Sequence, residues 1–154
     1  PISLGNTAIK YSVAPCENYT WMSANPPKPA KPSDSPNFLK EAMARHLDKT
    51  SACFNFFVQV QGDPKTMPIE DPTTEWDEKI SPPERVAQIT IPKQSFDTQA
   101  QQEFCEDLSF TPWHSLKEHR PLGGINRVRK TVYQSVSKLR HDLNKKPRVE
   151  PKPE

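Results

Sequence analysis

Eighteen of the 154 residues are proline, and no other feature restricts this chain more. Each proline fixes φ and removes a backbone donor, which keeps it out of helix interiors and central strands. Five of them, Pro26, Pro27, Pro29, Pro32 and Pro36, fall within residues 23–37 among Lys, Ser and Asp, and predict a long surface loop there. Hydrophobic residues make up 33%, below the about 45–50% of ordinary globular chains. A chain this short and this often interrupted has a small core, or shares one with another body.

No run of about 18 apolar residues exists, and residues 1–22 lack the basic start, apolar stretch and small-residue cleavage site of a secretory leader. Neither a membrane span nor such a leader is expected. Cys16, Cys53 and Cys105 are odd in number, far apart and without a C-x-x-C pair. A disulfide framework or Cys-rich zinc site is therefore not expected, and a reducing, cytoplasmic setting is favoured. The triplet Asn18-Tyr19-Thr20 is a sequon of the kind that chance supplies. Charge is uneven: residues 63–108 hold eleven acids against four bases, and residues 115–148 hold ten bases against two acids. The plain expectation is that the two segments neutralise each other in the fold.

Residues 8–14 alternate, with Ile9, Tyr11 and Val13 on one side, and predict a strand. Residues 52–61 alternate more strongly, with Phe54, Phe56, Val58 and Val60 opposite Cys53, Asn55, Phe57 and Gln59. Residues 86–91 make a third strand closed by Pro92, while 67–83, which contains Trp76, reads as an acidic, proline-broken loop. Leu39, Ala42, Met43 and Leu47 recur at helical steps over 38–49, after a cap at Asp34 or Ser35, and predict a short helix with one face docked on the sheet. Residues 98–107 suit one or two helical turns. The longest periodic segment opens at Asn126 and runs to Asn144, with Val128, Val132, Val136, Leu139 and Leu143 spaced four, four, three and four. Three such strands do not close a sheet, and no internal repeat completes one.

On the last helix Arg129, Tyr133 and Arg140 share one stripe, since offsets of four and seven return to nearly the same angle. A phenol, with its ordinary pKa near 10, is a useful metal ligand only as phenolate, and a guanidinium one turn away favours that form. Arg140, roughly 10 Å further along the axis, is placed to hold a carboxylate on the edge of a flat cofactor. Spacing alone leaves open the alternative of a boundary tyrosine with its hydroxyl in water.

The run from Leu108 through Phe110-Thr-Pro-Trp-His114 and His119-Arg-Pro-Leu-Gly-Gly-Ile-Asn-Arg127 to Tyr133, continuing to Lys138-Leu-Arg-His141, closely resembles the C-terminal part of the catalase-like haem proteins. Earlier pieces agree in order: Ala8-Ile-Lys-Tyr-Ser-Val13, Phe56-Phe-Val-Gln-Val60, and Met67-Pro-Ile-Glu-Asp71 followed by Glu75-Trp76. The resemblance implies an α+β chain, part of a catalase-like antiparallel β-barrel followed by C-terminal helices. It further implies haem b, with iron bound by Tyr133, Arg129 keeping that tyrosine ionised, and Arg140 contacting a haem propionate. The activity implied is an oxidoreductase of the catalase/peroxidase type acting on hydrogen peroxide or an organic hydroperoxide. On this division residues 1–124 supply strands and loops of the barrel, 125–146 the helix with the proximal tyrosine, and 147–154 a tail.

Two departures qualify the resemblance. Catalases follow the ligand with Pro-Asp-Thr-His, whereas Gln134-Ser135-Val136-Ser137 stand here. No histidine precedes His46, so the distal histidine and asparagine that serve peroxide cleavage in the family are absent from this chain. The expected partners are therefore haem, a peroxide, and the missing N-terminal half or another subunit. The alternative is a non-catalytic structural or interaction chain that keeps this half-fold without haem. Cys105, His114, His119 and His141 match no usual zinc spacing, and the basic helix lacks the interleaved aromatics of a nucleic-acid binder, so neither partner is expected.

Overall fold

The computed structural model describes residues 1–16, 31 and 35–148. The sequon, Asp34, most of the 23–37 loop and most of the 147–154 tail lie outside the described residues. The rest is a mixed α+β fold built on a four-stranded antiparallel sheet. The strands are β1 (Ile2–Leu4), β2 (Thr7–Pro15), β3 (Ala52–Val60) and β4 (Glu84–Ile91), in spatial order β1-β2-β3-β4. Three helices accompany them, α1 (Phe38–Leu47), α2 (Gln99–Glu106) and α3 (Gly124–Asn144), with a single 3₁₀ turn at Lys117–His119. No described helix is long and apolar enough to cross a membrane.

Strands β2, β3 and β4 stand where alternation places them, whereas β1 was not expected. Three residues are too few to display a period. β1 exists because Gly5 turns with φ 59° and the strand finds partners far along the chain: Ser3 N donates to Arg120 O at 2.9 Å and Gly5 N to Glu118 O at 3.0 Å. These bonds carry the 3₁₀ turn and the segment leading into α3.

The register pairs Ile9 with Val60, Tyr11 with Val58 and Val13 with Phe56, so these side chains share one face, and Tyr11 stacks on Phe56 at 5.6 Å between centroids. Ile9 and Val58 are buried on this face, and a second buried cluster sits on the other, more polar face. Met67 and Trp76 are 0% and 2% exposed and pack with Ala8, Ile69 and Leu122. The loop after β3 lies over the sheet because two glutamines hold it. Gln59 Nε2 donates to the carbonyls of Trp76 at 3.1 Å and Ser81 at 3.0 Å, and Gln61 Nε2 donates to Met67 O at 2.6 Å. Trp76 Nε1 closes the unit on Pro68 O at 3.1 Å. A buried loop must satisfy its backbone polar groups, and its prolines lower the number of donors to satisfy. On the apolar face Tyr11 and Val13 stay exposed.

Three expectations need correction. Helix α1 does not dock an apolar face on the sheet: Leu47 is buried, but Leu39 and Met43 are exposed. It is held instead by Gln94 N on Leu47 O at 2.8 Å and by the Lys40–Asp97 ion pair at 2.8 Å. Its N-cap position is Asn37, and Ser35 Oγ accepts from Asn37 N at 3.2 Å without being the cap residue itself. Cys16 and Cys53 are disulfide-bonded, with Cα atoms 5.5 Å apart, because the β2–β3 register carries the chain past Pro15 opposite Phe54 and sets the two thiols side by side. Linear spacing could not reveal that pairing, and it removes the ground for expecting a reducing compartment. Cys105 is free and exposed.

The cross-link joins positions separated by 37 in sequence, which in the chain-entropy account is worth about 4 kcal/mol. Cys16→Ser should lower the unfolding free energy by up to that amount in urea titrations under oxidising conditions, and the difference should vanish in excess reductant.

Candidate functional site

Helix α3 begins at Gly124, two residues before the periodic signal, and two features fix that start. Gly123 adopts φ 86°, ψ 161°, and a Cβ there would lie 2.8 Å from Ile69 O, so only glycine fits against the core loop. The helix has no side-chain cap from its own N-cap residue. Glu70 supplies it from the loop: its carboxylate accepts from Gly124 N at 2.9 Å and from both Arg127 nitrogens at 2.9 Å. Arg127 holds the Glu70 carboxyl below its ordinary value of 4.5, with help from the Gly124 amide. Beside it, hydrogen bonds from Thr73 and Thr74 pull Asp71 down to about 2.

Asn126, buried in the first turn of α3, locks the next turn. Its amide donates to Pro1 O at 3.0 Å and Leu122 O at 2.8 Å, and its backbone carbonyl accepts from Trp113 Nε1 at 2.9 Å. The amide orientation is thereby set, leaving Oδ1 to accept from Arg129 Nη1 at 3.3 Å. Arg129 then donates through Nη2 to Tyr133 Oη at 3.0 Å, and its guanidinium carbon lies 5.1 Å from the ring centroid. The sequence reading placed these two side chains one turn apart, and they meet. It missed Asn126 and Glu70, although an asparagine in a first turn and a carboxylate in the Met67–Asp71 run were both visible.

Arg140 is placed differently. Its Nη2 donates to Leu108 O, and its buried Nε has no partner. The adjacent His141 is buried with Nε2 2.9 Å from Asp107 O and Nδ1 3.5 Å from Ser137 Oγ. Helix α3 therefore presents a polar stripe, Asn126, Arg129, Tyr133, Ser137, Arg140 and His141, to the body of the chain. Its aliphatic stripe, Val128, Val132, Val136, Leu139 and Leu143, faces outward at 47–73% exposure. The charged segments meet in the ion pairs Arg127–Glu70 at 2.9 Å and Lys146–Asp107 at 3.4 Å.

Tyr133 lines an open cleft of about 530 Å³ with Trp113, His114, Lys130, Lys138 and His141. Lys130 Nζ sits 4.6 Å over the Trp113 ring. Arg129 faces a neighbouring cleft of about 450 Å³ walled by Tyr11, Ile69, Leu122 and Ile125. Arg140 lines neither, and His46 belongs to a separate hollow with Ala42, Arg45 and Lys49. No protein-family model, curated protein or solved structure matches the chain, so the site is read from its own geometry.

Tyr133 lines the cleft and its phenol oxygen accepts from Arg129, which Asn126 holds in turn; among the described residues no cluster of three His, Cys, Asp or Glu side chains could hold a metal ion. Cations on the cleft wall suit a ligand that carries carboxylates.

The Glu70 contact makes the placement of α3 pH-dependent. Because its folded pKa is depressed, its contribution is fully present above pH 4.5 and is lost as pH falls through the lower folded value. The stability gap between wild type and Glu70→Gln, followed by thermal melts, should be constant above that pH and close below it.

Proposed function

We propose that this chain supplies the tyrosine side of a haem site in an oxidoreductase of the catalase/peroxidase type, acting on hydrogen peroxide or an organic hydroperoxide. The observation that carries the reading is the 3.0 Å hydrogen bond from Arg129 to the phenol oxygen of Tyr133 at the edge of a cleft. A charged donor on that oxygen is the arrangement an anionic ligand uses. The resemblance of the Leu108–His141 run to catalase-like proteins supports the same assignment, and with it the view of the four-stranded sheet as part of a barrel.

On this reading Tyr133 holds the iron, Arg129 holds the phenol oxygen, and Asn126 holds Arg129. Lys130 and Lys138 meet the carboxylates at the cofactor's edge. Arg140 joins them by turning from the Leu108 carbonyl, with Nε as its spare buried donor. Bound haem b would supply a ferric centre that peroxide can oxidise, since an anionic oxygen ligand favours the higher oxidation state. The proton-transfer groups of peroxide cleavage come from a partner or a further segment, as His46 lies in a different hollow. The outward aliphatic stripe of α3 favours a second reading, a non-catalytic assembly chain without haem.

Titration of the protein with ferric haem separates the two. The first reading expects a Soret band with the charge-transfer features of ferric tyrosinate, lost in Tyr133→Phe and weakened in Arg129→Gln. A protein that stays colourless, or a spectrum unchanged in Tyr133→Phe, overturns it in favour of the second.

A further inference from the structure

The cleft of about 450 Å³ that Arg129 faces stands apart from the one Tyr133 lines. It opens where β2, the Met67–Asp71 run and the first turn of α3 meet, and Ile69, Leu122 and Ile125 give it aliphatic walls. Small-molecule sites are apolar pockets of roughly 300–1,000 Å³ with a few convergent polar groups, and this cleft has that size and that lining. Its charged side chains are Lys10, Glu70, Asp71 and Arg129.

The four charges divide by what already answers them. Glu70 is committed to Arg127 and the Gly124 amide, and Asp71 accepts from Thr73 and Thr74. Neither cation meets a carboxylate. Lys10 Nζ lies 4.6 Å from the centroid of the Trp76 ring and forms no ion pair among the described residues. Arg129 gives Nη1 to Asn126 and Nη2 to Tyr133, two bonds that leave three of its five N–H groups without a partner among the described residues. Both residues are half-buried, and a cation drawn out of water gains from a counter-charge beside it. One comes from β2 and the other from α3, so the fold itself brings two unanswered positive charges to a single apolar cleft.

We infer that this cleft is a second ligand site, which takes a small organic carboxylate with a compact apolar body. The body lies against Ile69, Leu122 and Ile125, and the carboxylate accepts from Arg129 and Lys10. A guanidinium with spare N–H groups matches a carboxylate in shape as well as in charge, and the ammonium adds a second charge of the same sign. The site does not depend on haem, since neither Tyr133 nor Lys130 nor Lys138 borders it.

Calorimetry of the 154-residue chain with hydrocinnamate tests the inference, with hydrocinnamyl alcohol as the uncharged match and acetate as the anion without a body. Hydrocinnamate should bind about tenfold or more tightly than either, the worth of one charge-assisted contact or of the buried ring, and less tightly as salt rises. Lys10→Met and Arg129→Gln should each weaken it by about tenfold. Ile125→Trp, at an exposed position on the wall, should abolish it by filling the cleft. Lys130→Glu/Lys138→Glu, in the cleft of Tyr133, should bind as wild type does. Amide shift mapping on the wild-type chain needs no variant: hydrocinnamate should move Ile69, Gly123 and Ile125 and leave Ser137 and Lys138 in place. Acid and alcohol binding equally overturns the inference, as does the absence of both heat and amide shifts at millimolar hydrocinnamate. Binding that survives Ile125→Trp, or the joint loss of Lys10 and Arg129, overturns it too. Binding lost in Lys130→Glu/Lys138→Glu would seat the anion beside Tyr133 and overturn it equally.

Discussion

The seating of Met67 and Trp76 on β2 and β3 is the constraint from which the rest of the molecule hangs. Neither residue belongs to a helix or strand, and both are more buried than any residue that does. The loop that carries them stays down because Gln59 and Gln61 donate to its carbonyls. Without those donors the loop would expose peptide groups to an apolar surface, which costs more than the burial returns. Once seated, the loop delivers Ile69 under Gly123 and Glu70 to the first amide of α3. The helix that bears the tyrosine is thus aimed by a loop core about sixty residues earlier in the chain.

From that start each turn of α3 fixes the next. Asn126 is pinned by two carbonyls and by Trp113, Arg129 is pinned by Asn126, and the phenol oxygen of Tyr133 receives what remains of the guanidinium. Such a relay holds one long side chain in one rotamer, whose cost in freedom is met by hydrogen bonds already oriented. It also explains the inverted helix: polar groups occupy its inward face because the protein surface beneath offers carbonyls, not methyl groups. The aliphatic stripe is left to water or to another chain.

The core is small for the length of chain. Among the described residues its buried apolar members are Ala8, Ile9, Leu47, Val58, Met67, Trp76 and Leu108, while α1, α2, α3 and the outer face of the sheet all expose large apolar side chains. Hydrophobic stabilisation scales with the area removed from water, so much of what these elements can contribute is realised only in an assembly. The Cys16–Cys53 cross-link works in the same direction, by restricting the unfolded chain where burial is thin.

Local pattern alone determined β2, β3, β4, all three helices and the adjacency of Arg129 to Tyr133, because period two, period 3.6 and a four-residue step are properties of neighbouring residues. It also determined that such strands leave a sheet open. Tertiary structure alone decided which face of each element is covered. Ile9, Tyr11 and Val13 alternate as a buried face should, yet of the three only Ile9 is buried and the loop covers the glutamine side, since a core forms where backbone carbonyls find donors as well as where methyl groups meet. The short strand β1, the Cys16–Cys53 bond, the Glu70 cap and the diversion of Arg140 to Leu108 each join residues more than thirty positions apart. No window of sequence contains both partners of such a contact, and only the folded chain brings them together.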